Sequence, residues 1–231
     1  MSLFDSWRTV LAPPHPAGRP FIGGGIVVAM IGLAIGAWLF WIGLIFTLYC
    51  LYFFRDPERV PPGRPGLVIS AADGRVTSVA AAVPPPELGL GPEPRWRVVT
   101  FLSVLDVHVN RMPVDGTVTR IAYRHGSFRD ANSPEAGETN ERNALALRLP
   151  DGRELAVVQI AGLIARRILC HAREGDRVHA GARFGIIRFG SRTDIYLPPG
   201  VLPLVVEGQT MIGGETVIAD LNPPATTEAA S

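Results

Sequence analysis

The sequence predicts a compact, mainly β (α+β) domain with many hairpins, preceded by an N-terminal transmembrane helical hairpin. Three observations carry that expectation. Pro20 to Phe54 is a run of 35 residues without a charge. Downstream, three Asp-Gly pairs (Asp73-Gly74, Asp115-Gly116 and Asp151-Gly152) punctuate alternating apolar stretches, a strong short-range hairpin signal. Helical periodicity is scarce after residue 60, and only 161–169 is ambiguous.

Taken in order, residues 1–19 form an N-terminal segment and 20–54 the apolar anchor. One upright span needs about 20 residues, so this run suits two short helices with a bend near Gly36. Arg8 and Arg19 precede it and Arg55, Arg59 and Arg64 follow. Positive charge at both ends favours two cytoplasmic ends, which a hairpin satisfies and a single span does not. A signal peptide fits poorly, because the run is too long and no small-residue cleavage site follows it. Residues 55–66, with Pro57, Pro61, Pro62 and Pro65, read as a stiff linker.

Short strands then fill 67–221. Leu67 to Ser70, Arg75 to Val79, Ala144 to Leu149, Glu154 to Ile160, Phe184 to Phe189 and Ile195 to Leu197 have strand-like composition. The Pro-rich stretch Val83 to Pro94 and the polar stretch Asp130 to Asn143 read as exposed loops, and 222–231 as a frayed tail.

Composition excludes several functions. A net charge of +1 gives no electrostatic footprint for nucleic acid. Cys50 and Cys170 make no disulfide framework, which suits a reducing compartment. All 22 basic residues are arginine, so no lysine is available for a Schiff base with pyridoxal phosphate or as a catalytic amine. Zinc-binding spacings are missing, as are a lysine-bearing phosphate loop and a Gly-x-Ser-x-Gly elbow. No metal is expected.

Gly190-Ser191 stands between two apolar strand-like runs. With no side chain on Gly190, the Ser191 hydroxyl has an open approach to the preceding carbonyl. By itself the pair is also an ordinary turn dipeptide, and Gly126-Ser127 is another. Among five histidines, His15, His125, His171 and His179 sit in turns or tips. His108 lies inside Phe101-Leu102-Ser103-Val104-Leu105-Asp106-Val107-His108-Val109-Asn110-Arg111-Met112-Pro113, where polar groups crowd a strand-like segment. A satisfied core histidine and a chemical group are both open readings there.

Together these blocks resemble the phosphatidylserine decarboxylase family in its short prokaryotic form. The resemblance rests on Phe189-Gly190-Ser191-Arg192 with Asp194-Ile195-Tyr196-Leu197-Pro198, and on Ala72-Asp73-Gly74-Arg75. Phe101 to Gly116, Gln159-Ile160-Ala161-Gly162 with Ala165-Arg166-Arg167-Ile168, and Phe53-Phe54-Arg55-Asp56-Pro57 complete it. It implies a proenzyme that cuts itself between Gly190 and Ser191 into a β chain, 1–190, and an α chain, 191–231, which stay associated. It implies decarboxylation of phosphatidylserine to phosphatidylethanolamine through a Schiff base with a covalent pyruvoyl group derived from Ser191, without pyridoxal phosphate. His108 and Asp73 are the expected base and orienting acid, with His108 also the proton donor. Longer members carry a second histidine where this chain has Arg111, so Arg111 is expected to bind the lipid phosphate or carboxylate. The implied location is the cell membrane, with the catalytic domain on its cytoplasmic face. The oligomeric state is open, an oligomer included. The alternative is a non-catalytic, membrane-tethered β-barrel binding module, which would need neither cleavage nor Ser191.

Overall fold

The computed structural model describes residues 12–133, 135–163, 167–188 and 190–222. Most of the expected N-terminal segment and tail, together with Phe189, Ala165 and Arg166, lies outside the described residues. The chain forms two compact units, with boundaries at Glu58/Arg59, Ser103/Val104 and Val109/Asn110.

In the first unit, α1 (Arg19–Ile35) and α2 (Ala37–Phe53) are separated only by Gly36. Pro20 sits in the first turn of α1, where its missing N–H costs nothing. The two helices pack backbone to backbone through glycine. A Cβ on Gly32 would lie 2.1 Å from the Phe40 nitrogen, and one on Gly43 would lie 2.3 Å from that of Ala29. Such close approach is how helices associate where no aqueous hydrophobic effect drives them together. The outer faces carry exposed Leu33, Ile35, Trp38 and Ile45. From Pro16 to Ile35 the chain is long and apolar enough to cross a membrane, by length and composition. Arg55 closes α2, stacking 3.9 Å over the Tyr52 ring and donating to the carbonyls of Tyr52 and Leu105.

The second unit is mainly β. In chain order the strands are β1 (Leu67–Ile69), β2 (Gly74–Ala82), β3 (Arg95–Leu102), β4 (Val109–Arg111), β5 (Gly116–Arg124), β6 (Arg142–Arg148) and β7 (Glu154–Ala161). They continue with β8 (Ile168–Cys170), β9 (Arg177–Val178), β10 (Arg183–Ile187), β11 (Ser191–Tyr196), β12 (Thr210–Met211) and β13 (Val217–Asp220). One large sheet runs β12-β2-β3-β11-β7-β6-β5-β9, with smaller sheets β4-β10-β8 and β1-β13.

β11 is central, antiparallel to β3 on one side and β7 on the other. Strand alternation divides its side chains. Ile195 joins Val98 and Val157 in the main core, so Ser191 and Thr193 share that face. Tyr196 joins Ala156 and Val158 in a second cluster, so Arg192 and Asp194 lie on the opposite face.

Two stretches expected to be exposed loops are instead partly buried. Within 83–94, Leu88 and Leu90 cover the second cluster, an apolar burial of about 1.5–3 kcal/mol each. Within 130–143, Asn140, Arg142 and Asn143 are buried and β6 begins at Arg142. Of the three Asp-Gly pairs, only Asp151-Gly152 closes a hairpin, β6 to β7. β1 pairs with β13 rather than β2, and β5 pairs with β6 and β9 rather than β4. At the other two pairs the carboxylate accepts a distant backbone N–H: Asp73 from Gly213, Asp115 from Ala180, both at 2.8 Å. Those aspartates fasten strand entries to remote segments instead of turning the chain.

Candidate active site

Ser191 opens β11 and is fully buried, opposite Leu102 of β3 and Ala161 of β7. Among the described residues its Oγ has no hydrogen-bond partner. A buried hydroxyl left unpaired costs about 1–3 kcal/mol, so the fold holds this group in a state that a reaction would relieve. Gly190 takes a left-handed φ of +70°, a conformation open to glycine at little cost. Its carbonyl lies against Gly162, where a Cβ would fall 2.5 Å from the Gly190 oxygen and 3.2 Å from its carbon. The Gly-Ser bond is therefore held between two strands with a bare Cα beside the carbonyl.

The opposite face of β11 is clamped. Arg192 makes a two-pronged ion pair with Asp194, Nε to Oδ1 at 2.7 Å and Nη2 to Oδ2 at 3.0 Å, both side chains buried. Arg192 Nη1 also donates to the carbonyls of Ala131 and Ser133. Planar forked pairing of this kind fixes geometry as well as charge, and it secures the residue next to Ser191.

Asp73 and Arg111 meet at the Gly213-Gly214 turn. Asp73 Oδ2 accepts from Arg59 at 2.7 Å while Oδ1 takes the Gly213 N–H. A Cβ on Gly214 would lie 2.7 Å from Arg111 Cδ and 3.3 Å from Arg59 Cβ. Arg111 is buried and donates Nη1 to the Gly181 carbonyl at 3.0 Å. Arg75 pairs with Phe101, and Phe101 with Arg192. Asp73 therefore enters β2 at the sheet end where Ser191 opens β11, about 10 Å away across two strand spacings.

His108 belongs to the first unit, where it is fully buried. Its ring lies tilted against that of Phe53, with centroids 4.3 Å apart, and Nδ1 is 3.0 Å from the Asp106 carbonyl. Desolvation pushes its pKa down to about 4, against the opposing pull of that carbonyl. At neutral pH the imidazole is uncharged. With Nδ1–H donated to the carbonyl, Nε2 is left with a lone pair, which is what a general base needs.

A family profile described as phosphatidylserine decarboxylase matches residues 46–219, three-quarters of the chain. The chain belongs to the phosphatidylserine decarboxylase family. Members of the phosphatidylserine decarboxylase family are lyases, and the similar proteins carry the name phosphatidylserine decarboxylase proenzyme. The protein of that name from Granulibacter bethesdensis is 74% identical over 223 residues, covering 96% of this chain and 91% of its own. That from Gluconobacter oxydans is 62% identical, covering 96% and 100%. That from Cereibacter sphaeroides is 55% identical, covering 94% of each.

Sequence reasoning missed Gly162 as part of the site, although it stands in the block Gln159 to Gly162. It also missed Asn110 and Gln159, buried amides on the Ser191 side of the sheet. A polar residue inside an apolar strand was the available signal.

Proposed function

We propose that this chain is a self-cleaving proenzyme whose processed form decarboxylates phosphatidylserine to phosphatidylethanolamine and CO2. The observation that carries the reading is Ser191 Oγ: buried, unpartnered among the described residues, and one bond from a carbonyl packed against bare Gly162. Ser191 Oγ attacks the Gly190 carbonyl carbon, the Gly190–Ser191 amide breaks, and the acyl group passes to oxygen. Loss of the residue 191 Cα proton then expels Gly190 as a carboxylate. Water displaces ammonia from the dehydroalanine left at 191, and the small chain ends in a pyruvoyl group.

Neutral His108 is the proposed base that takes the Ser191 proton and later supplies a proton to the product, with Asp73 as the orienting acid. Asp73 accepts from Arg59 and from the Gly213 N–H, which fix its carboxylate. The residues fit a group made from Ser191 itself. Once formed, a pyruvoyl ketone supplies the electron sink that lets the serine headgroup lose its carboxylate. Arg111 is the proposed anchor for the lipid phosphate or carboxylate. Its bond to Gly181 fixes the base of the guanidinium fork.

The α1–α2 hairpin is proposed to enter the bilayer, with the catalytic unit on the cytoplasmic face, where a two-chain lipid is presented. The large and small chains are proposed to remain associated. The binding-module alternative is not favoured, because the matched family is one of lyases.

Intact-mass measurement of the protein beside Ser191→Ala tests the reading. Two chains divided at 190/191, the small one blocked by a keto group, and an uncut variant are expected. A single full-length chain in both preparations would overturn it.

A further inference from the structure

A chain of three side chains runs beneath the Ser191 face of the large sheet. Asn143 Nδ2 donates to Gln159 Oε1 at 2.9 Å. Gln159 Nε2 in turn donates to Asn110 Oδ1 at 2.8 Å. The last member, Asn110, thus spends its oxygen on the chain and keeps its amide nitrogen outside it. Asn110 is fully buried and its Nδ2 has no partner among the described residues. Two N–H groups are held there without an acceptor.

The register says what lies beside them. Thr193 is opposite Gln159 and Ser191 is opposite Ala161 on β7, so Gln159 and Ser191 are diagonal neighbours on one face, about 7–8 Å apart at the backbone and within reach of a long side chain. Asn110 sits one hydrogen bond beyond Gln159 into the same buried layer. Gly185 lets the second sheet press close at this point, since a Cβ there would lie 2.9 Å from Gln159 Nε2. An unspent donor and an unspent hydroxyl thus share one desolvated layer, where each is costly while unpaired. Rotation of Ser191 about χ1 moves Oγ between staggered positions without disturbing β11.

We infer that Asn110 is a catalytic residue of self-cleavage, donating Nδ2–H to Ser191 Oγ. This rests on the reading of Ser191 as the nucleophile. In the precursor the donor occupies one Oγ lone pair, which points the hydroxyl proton away from Asn110. After the acyl shift Oγ is the ester oxygen. When the Cα proton of residue 191 leaves and the Cβ–Oγ bond breaks, Oγ departs as an oxygen of the Gly190 carboxylate and takes the electron pair of that bond. The Asn110 N–H then meets a developing negative charge in a water-poor layer, where a fixed donor is most effective.

The test follows the full-length chain through self-cleavage, with and without hydroxylamine, in wild type, Asn110→Asp and Asn110→Ser. Asp keeps the acceptor for Gln159 and loses the free donor, and near-UV circular dichroism identifies the folded variants. Cleavage to the blocked small chain is expected to slow by about 10²-fold. Hydroxylamine should release a small chain with a free Ser191 amine, the signature of an ester that forms but does not eliminate. A merely structural role would not produce that split. Folded variants that yield the blocked chain at the wild-type rate would overturn the role of Asn110. If neither variant folds, Gln159→Leu, which untethers Asn110 but retains it, takes their place: ester accumulation is again expected, and wild-type processing overturns the inference. Failure of the wild-type chain to divide at 190/191 would instead remove the proposal for Ser191 itself.

Discussion

His108 shows what burial does to a single side chain. Its pKa is near 4 in the folded protein against about 6.5 in an unfolded chain. Between those values the unfolded chain holds the extra proton, so this contribution to stability is complete above pH 6.5 and is lost as pH falls toward 4. The whole effect is about 3 kcal/mol. Urea titrations of the uncut Ser191→Ala protein in detergent, from pH 7 to 4.5, should therefore show an acid slope. Adding His108→Phe should make that slope shallower by about 1.4 kcal/mol per pH unit; an unchanged slope would refute the buried neutral state. With His108 as the proposed base, the same depressed pKa would put the acid limb of self-cleavage near pH 4 rather than 6.5.

At the scale of elements, the proposed scissile bond lies at the ends of strands β7 and β11. Gly162 follows the last residue of β7 and leaves room for the Gly190 carbonyl. Gly162→Ala would place a methyl group 2.5 Å from that oxygen, and the peptide would have to shift. A displacement of about 1 Å at a reacting centre costs roughly 10²-fold in rate. Self-cleavage of Gly162→Ala, timed by gel, should slow on that order while its melting point shows the domain still folded; wild-type timing would mean the contact is irrelevant. The helical element follows a similar logic. Gly32 and Gly43 bring α1 and α2 into backbone contact, so the apolar run folds back on itself and turns its large side chains outward.

For the whole molecule, the position of the proposed cut within the sheet determines what would happen to the pieces. β11 would become the first strand of the small chain, yet all six of its residues pair with β3 and all six with β7. β12 and β13 then add to β2 and β1. Cutting one peptide bond leaves every one of these ladders intact. The processed chains should therefore elute together in detergent gel filtration and separate only in denaturant. Dissociation under native conditions would contradict this account.

How much of this was legible in the residues depends on the range of the interaction. The break at Gly36, the β character of the second unit and the hairpin at Asp151-Gly152 are local, set by neighbouring residues, and the sequence carries them. Ser191 was legible as the proposed nucleophile because its partner carbonyl is the preceding residue, and because several blocks in order resemble one family. Asp73 and Asp115 misled as turn signals, since their acceptor oxygens are used by N–H groups 140 and 65 residues away. Leu88 and Leu90 looked exposed because nothing nearby in sequence covers them; the sheet that does is built from distant strands.

By itself, the sequence determined the chemistry available to this protein: a Gly-Ser bond, a histidine among apolar residues, no lysine, and an uncharged run long enough to enter a membrane. Only the tertiary structure decided that Ser191 Oγ is buried without a partner among the described residues, that Gly162 bares the carbonyl before it, and that Asn110 holds a donor with no acceptor among those same residues. These are facts of strand register and solvent exclusion. They arise from pairing between segments far apart in the chain, so local composition cannot encode them.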